Sequence, residues 1–259
     1  CIIGPAIIGF VFDAYGAVGS YILITVLFIL SWIFTACMAP RPLAVPQKEP
    51  LLKSISMGWR FVFGNQPLLG ALTLDLFAVF FGGMMALLPI YAQDILHVGA
   101  KGLGFLNAAP AAGALIMMLF ATRHAPIRNA GHNLLWAVTG FGISVLIFAF
   151  SKNFALSLCA LFLSGVFDGI SMVIRRSMVR LLSPNEMRGR ISGVSWIFIT
   201  SSNELGAFES GFLAHLIGTI PCVAFGGVMT LLVVILTARF APQLRRLKFD
   251  PQTLQRISN

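Results

Sequence analysis

Apolar residues fill this chain in long runs separated by short polar or basic interruptions. The runs lie at 18–39, 67–92, 102–121, 133–150, 154–177, 189–217 and 219–240. Each approaches or exceeds the ~20 residues needed to cross ~30 Å of hydrocarbon at 1.5 Å per residue. The pattern therefore predicts seven complete transmembrane helices. An apolar stretch at 1–12, too short to cross, precedes them and ends in a turn, Asp13-Ala14-Tyr15-Gly16. The first residues carry no initiator Met, basic region or cleavage site, so they read as a chain entered partway through a helix rather than as a signal peptide.

Basic residues alternate with these runs. Sixteen fall on one side: Arg41, Lys48, Lys53 and Arg60; Arg123 and Arg128; Arg175, Arg176, Arg180, Arg188 and Arg190; and Arg239, Arg245, Arg246, Lys248 and Arg256. Two, Lys101 and Lys152, fall on the other. The positive-inside rule places the sixteen in the cytoplasm, along with the C-terminus. All five lysines lie in loops or tails, which leaves no candidate for a mid-membrane Schiff base.

Residues 40–66 form the longest segment outside the spans. Pro40, Pro42, Pro46 and Pro50 rule out a regular helix in its first part. Beyond them, Leu51, Leu52, Ile55, Trp59 and Val62 share one helical face, and Lys53, Ser56 and Arg60 lie elsewhere. This predicts an amphipathic helix at the cytoplasmic interface. The expected organisation is the end of one bundle at 1–39, a linker at 40–66, a six-helix bundle at 67–240 and a basic cytoplasmic tail at 241–259. Six spans arranged as two inverted sets of three are a transporter signature. At Ser183-Pro184-Asn185-Glu186, an N-cap Ser, Pro at N1 and Glu at N3 predict a helix start at headgroup level.

Composition agrees with a membrane location. Of 259 residues, 58% are hydrophobic and 10% charged, and the mean hydropathy is +0.89. Soluble domains run to about 45–50% apolar and about 25% charged. The net charge of +9 is then topological, and its partners are anionic lipid headgroups rather than nucleic acid. Cys1, Cys37, Cys159 and Cys222 are far apart and form neither a disulfide framework nor a metal motif. His97, His124, His132 and His215 are dispersed, and no phosphate loop, H-E-x-x-H or G-x-S-x-G occurs. The sequence therefore points to no enzyme, metal or cofactor.

Carboxylates in hydrocarbon are costly, by about 2.5–3.5 kcal/mol on insertion scales, so Asp75, Asp168, Glu204 and Glu209 stand out. They either carry protons or meet a cationic or polar substrate, or they are hydrogen-bonded to neighbouring helices or exposed in a wet cleft. Glu204 is the first candidate, because it is near mid-span in Thr200-Ser201-Ser202-Asn203-Glu204, and Asn203 joins it. Glu209 is about 140° round the helix from Glu204, so the two cannot face one spot. Asp168 and Arg175 are seven residues apart on one face, which allows an ion pair. Gly165-x-x-x-Gly169, Gly189-x-x-x-Gly193 and the run Ala108–Gly113 predict close helix packing. Gly82-Gly83 and Pro89 allow one span to bend.

Three stretches carry a family resemblance. Gly4-Pro5-Ala6-Ile7-Ile8-Gly9 resembles the Gly-Pro-x-x-Gly-Gly motif of the fifth helix of major facilitator superfamily exporters, with Ile8 in place of one glycine. Gly104-Phe105-Leu106-Asn107-Ala108-Ala109-Pro110 is similar to the eighth helix. Pro184 to Gly193, with Ser202 to Gly211, resembles the loop and helix that follow helix ten in the branch containing the enterobactin exporter. The resemblance implies two six-helix bundles and alternating access, with residues 1–39 as the end of helix five plus helix six and 67–240 as helices seven to twelve. Most of the first bundle is then missing, and its absence removes half of the cavity.

The expected function is secondary active export of small molecules of drug or siderophore type across a bacterial inner membrane. The expected energy source is a proton gradient. Arg175, Arg188 and Arg190 are candidates for a cytoplasmic gate, and the expected partners are the bilayer, a small-molecule substrate and the missing bundle. A non-transporting remnant or scaffold, or a channel, are the alternatives the residues leave open.

Overall fold

The computed structural model describes residues 3–37, 51–123, 129–184 and 187–249, and the side chains of 3–6, 51–54 and 122 lie outside that description. The proline segment 40–50, Asn185, Glu186 and most of the tail fall outside it too. Every regular element among the described residues is helical. Helix α1 spans Ile3–Ala36, α2 Leu51–Gly64, α3 Gln66–Phe81, α4 Leu88–Ile90, α5 Gly99–Arg123 and α6 Ala130–Phe150. Then follow α7 Phe154–Leu182, α8 Arg188–Ile217, α9 Thr219–Phe240 and the short α10 Pro242–Arg245.

Six segments are long and apolar enough to cross a membrane: Ile7–Ala36, Gln66–Ile95, Gly99–Ala121, Ala130–Phe150, Phe154–Leu182 and Thr219–Phe240. Helix α8, drawn as a span from the sequence, has 30 residues, or ~45 Å at 1.5 Å per residue. It is long enough but not among the six, because the polar stretch from Thr200 to Glu204 dilutes its apolar character. A lipid setting fits this helical arrangement of the described residues, since helices satisfy their own backbone groups without water. Two hydroxyls inside the spans bond back to their own helix: Ser144 donates to Gly140 O at 2.8 Å and Thr230 to Gly226 O at 2.9 Å.

The expected turn at 13–16 is a one-residue break within α1. Gly16 has φ 67° and ψ −165°, a conformation glycine reaches without Cβ strain. Helix α1 packs against α5 through Gly9, whose missing Cβ brings it against Gly104 Cα. Phe10 meets Phe105 edge-on at 5.8 Å, and Asp13 pairs with Lys101 at 2.7 Å.

The span predicted at 67–92 is interrupted. Asn65 caps α3 by accepting from Leu68 N at 3.3 Å, with Pro67 in the first turn. The α-helix stops at Phe81, and Gly82-Gly83 lead into a 3-10 turn at Met84–Leu87, then α4 and a π-helical turn at Tyr91–Ile95. The bend expected at Gly82-Gly83 is thus a full break in the α-helical ladder. Asn153 caps α7 through Ala155 N and Leu156 N.

Helices α8, α3, α9, α6, α7 and α5 pack as successive neighbours. One apolar cluster gathers Leu74, Leu134, Ile174, Val233 and Leu244, and a second gathers Leu88, Tyr91, Leu106, Phe148, Leu161 and Cys222. The α5–α7 seam is tight: a Cβ on Gly165 would run into the backbone of Pro110, and one on Gly169 would come within 3.2 Å of Ala114 Cα. Gly189 and Gly193 differ from the sequence expectation. A Cβ at either meets nothing within 4 Å, so that pair makes no close helix contact among the described residues.

Helix α2 packs along α8. Val62 is fully buried with Leu68, Leu72, Ile191 and Val194. Trp59 meets Phe198 at 5.5 Å, and Gly58 comes close to the Arg190 carbonyl. Beyond the predicted helix start at Ser183, Met187 N donates to Pro184 O at 3.0 Å. Ser183 ends α7, and α8 begins at Arg188 with Met187 as its cap. The capping partners Asn185 and Glu186 lie outside the described residues.

Candidate functional site

A cavity of about 790 Å³ opens between α3, α5, α6, α7 and α8. One end is lined by the break at Gly82–Ala86 and by Pro110 and Ala111, and the other end carries arginines. Its wall is mostly apolar, with Phe141, Phe167 and Trp196 as the aromatic members.

The polar centre is three side chains from two helices. Asp75 Oδ2 on α3 is bound by Arg175 Nη1 on α7, and both residues are buried. Asp168, two turns earlier on α7, places Oδ1 3.8 Å from Arg175 Nη2. Seven residues advance 700° round a helix, which returns Arg175 to within about 20° of Asp168. Arg175 Nε also donates to Ser171 O at 3.4 Å. Asp75 is 6% exposed at its side chain, whereas Asp168 is 39% exposed and lines the cavity. One guanidinium therefore faces two carboxylates, and with all three ionised the group carries one negative charge. Such a group in low dielectric is stable only when paired and hydrogen-bonded.

The other candidates separate. Asn203 lines the cavity, and its Nδ2 donates to Ile199 O at 2.9 Å. Glu204, one residue on and so ~100° round α8, is exposed and outside the cavity lining. Glu209 is half-buried and accepts from Ser210 Oγ at 3.4 Å, also outside the lining. Arg188 lines the cavity mouth, where Nη2 donates to Arg180 O at 3.0 Å. Arg190 is outside the lining and reaches Met57 Sδ at 3.6 Å. The structure thus unites Asp75, Asp168, Arg175, Asn203 and Arg188 around one space and leaves Glu204, Glu209 and Arg190 outside it.

Sequence reasoning overlooked Arg176, Arg180 and Trp196, which also line the cavity. A signal was present for the arginines. Asp168, Met172, Arg176 and Arg180 recur every four residues and so share one side of α7. No cluster of metal-ligating side chains occurs among the described residues.

Apolar spans, a helix broken at mid-length and a cavity with a charged centre define a multi-pass membrane protein built around a small-molecule-sized cavity. Residues 1–206 match the family model of the Major Facilitator Superfamily, and the chain belongs to that family. It is similar to the enterobactin exporter EntS of Shigella flexneri, 28% identical over 212 residues, which cover 82% of this chain and 49% of the relative. It is also similar to the enterobactin exporter EntS of Escherichia coli O1:K1 / APEC, 27% identical over 244 residues, covering 92% of this chain and 55% of the relative. The chain spans about half the length of the curated relatives it matches.

Proposed function

We propose that this protein works as a proton-coupled exporter of small molecules by alternating access, in a bacterial inner membrane with its C-terminus in the cytoplasm. The observation that carries the reading is the shared arginine. Arg175 lies between buried Asp75 and cavity-facing Asp168, so a proton on Asp168 neutralises the group and its loss restores one negative charge. A site whose charge changes by one inside a membrane cavity has the means to couple proton movement to a conformational change. Asp168 takes this role ahead of Glu204 because it faces the cavity and shares the arginine. The similarity to enterobactin exporters supports export and a siderophore-type substrate.

In the same reading, α1 belongs to a first bundle, α3 to α9 form the second, and the cavity is the second bundle's share of the transport pathway. The test uses the intact protein in proteoliposomes with an imposed pH gradient. Asp168→Asn should cut gradient-driven efflux at least tenfold while leaving substrate exchange at equal pH. Gradient-driven efflux at the wild-type rate in Asp168→Asn rejects Asp168 as the coupling group, and flux without saturation rejects a carrier. A reporter fused to the C-terminus and active only outside the cytoplasm would reject the orientation.

A further inference from the structure

We infer that the cavity selects organic anions carrying an apolar or aromatic ring, and that Arg176, Arg180 and Arg188 at its mouth make the selection. This names the substrate class of the site proposed above and rests on that reading for its transport meaning. Four arginines line the cavity, Arg175, Arg176, Arg180 and Arg188, against two carboxylates, Asp75 and Asp168. Arg175 is occupied by both carboxylates. The remaining three form no ion pair among the described residues. Arg188 adds a second, independent sign: its Nε is buried and without a hydrogen-bond partner among the described residues, although its Nη2 is satisfied by Arg180 O. A guanidinium N–H left without a partner is costly, and a carboxylate or similar acidic oxygen supplies what it lacks.

Topology alone does not account for this arrangement. The positive-inside rule puts arginines at this end of the helices without choosing the side of the helix. Arg123 on α5 and Arg239 on α9 sit at helix ends outside the cavity lining, whereas the three on α7 and α8 turn into it. The rest of the lining says what else the ligand carries. Phe141, Phe167 and Trp196 with an apolar wall suit a ring, and about 790 Å³ falls within the ~300–1,000 Å³ of small-molecule sites.

The test compares three probes of one shape and different charge, 2-naphthoate, 2-naphthamide and 2-naphthylmethylammonium, by equilibrium dialysis against the purified intact protein. Naphthoate should bind at least tenfold more tightly than naphthamide, and raising salt should narrow the gap. Arg176→Gln/Arg180→Gln should remove the preference, Arg176→Lys/Arg180→Lys should retain most of it, and Arg239→Gln should leave it unchanged. Equal affinity for the acid and the amide, tighter binding of the cation, or an equal loss in Arg239→Gln overturns the inference. Selective naphthoate binding without gradient-driven flux upholds it while the exporter reading falls. Proton-driven efflux of a cationic dye without naphthoate selectivity does the reverse.

Discussion

Asp75 and Arg175 form a buried ion pair that ties α3 to α7 in the wall of the cavity. Asp168 meets the same guanidinium at 3.8 Å from a much more exposed position. The two carboxylates should therefore differ sharply as stability determinants. Asp75→Asn removes the close partner of a buried cation, a change that costs about 3–5 kcal/mol. Asp168→Asn removes a longer, wetter contact, for which about 1 kcal/mol or less is expected. Denaturant unfolding of the two purified variants in the same detergent measures the difference, and equal losses would contradict the asymmetric pairing.

The α5–α7 seam makes a second contrast. Gly165→Ala puts a methyl against the backbone of Pro110, and backbone cannot move aside as a flexible side chain can. A loss of about 1–3 kcal/mol is expected from such overpacking. Gly193→Ala makes the same chemical change on α8 where nothing lies within 4 Å. It should be neutral, or stabilising by about 0.5–1 kcal/mol through the better helix propensity of Ala. Unfolding midpoints for the pair decide the matter, and a Gly193→Ala loss as large as that of Gly165→Ala would place an unseen neighbour on α8.

These contrasts also mark how far the sequence could be read. Span positions were legible because lipid demands long apolar runs, and a bend beyond α3 was legible from Gly82-Gly83, although the full break there was not. The pairing of Asp168 with Arg175 followed from their spacing on one helix. The pairing of Asp75 with Arg175 did not, since residues a hundred positions apart meet only through helix packing. Glu204 drew attention by its depth, but depth along an axis does not fix direction around it. Asn203, one residue earlier, is the one that faces the cavity. The arginines at the mouth were explained by topology, which hid the four-residue recurrence that turns Arg176 and Arg180 inward.

At the opposite end from these arginines, Asp13 and Lys101 link α1 to α5 at 2.7 Å, with about half of each side chain exposed. An exposed pair of this kind is worth about 0–1 kcal/mol, so the packing of Gly9 on Gly104 and of Phe10 on Phe105 should hold the two helices together without it. Lys101→Ala should therefore change the unfolding free energy by no more than about 1 kcal/mol. Phe105→Ala, which removes the ring, should cost more. The reverse order would make the ion pair the principal tie between the two helices.

Tyr91 gives the sharpest hydrogen-bond prediction. The last carbonyls of a helix have no partner within it, and Ala149, the penultimate residue of α6, supplies one of these. Tyr91 Oη donates to that carbonyl at 3.1 Å. Its ring is fully buried against Phe148, with centroids 4.5 Å apart. Tyr91→Phe keeps the ring and its packing but leaves the carbonyl without its donor. Because a buried acceptor left unpaired costs about 1–3 kcal/mol, the variant should lose that much stability despite its near-identical shape. Tyr91→Leu should lose more, since the aromatic contact goes as well. Both are measured as unfolding midpoints in one detergent. Wild-type stability in Tyr91→Phe would mean that water or another donor reaches Ala149 once the hydroxyl is gone, and the bond would then have no structural role of its own.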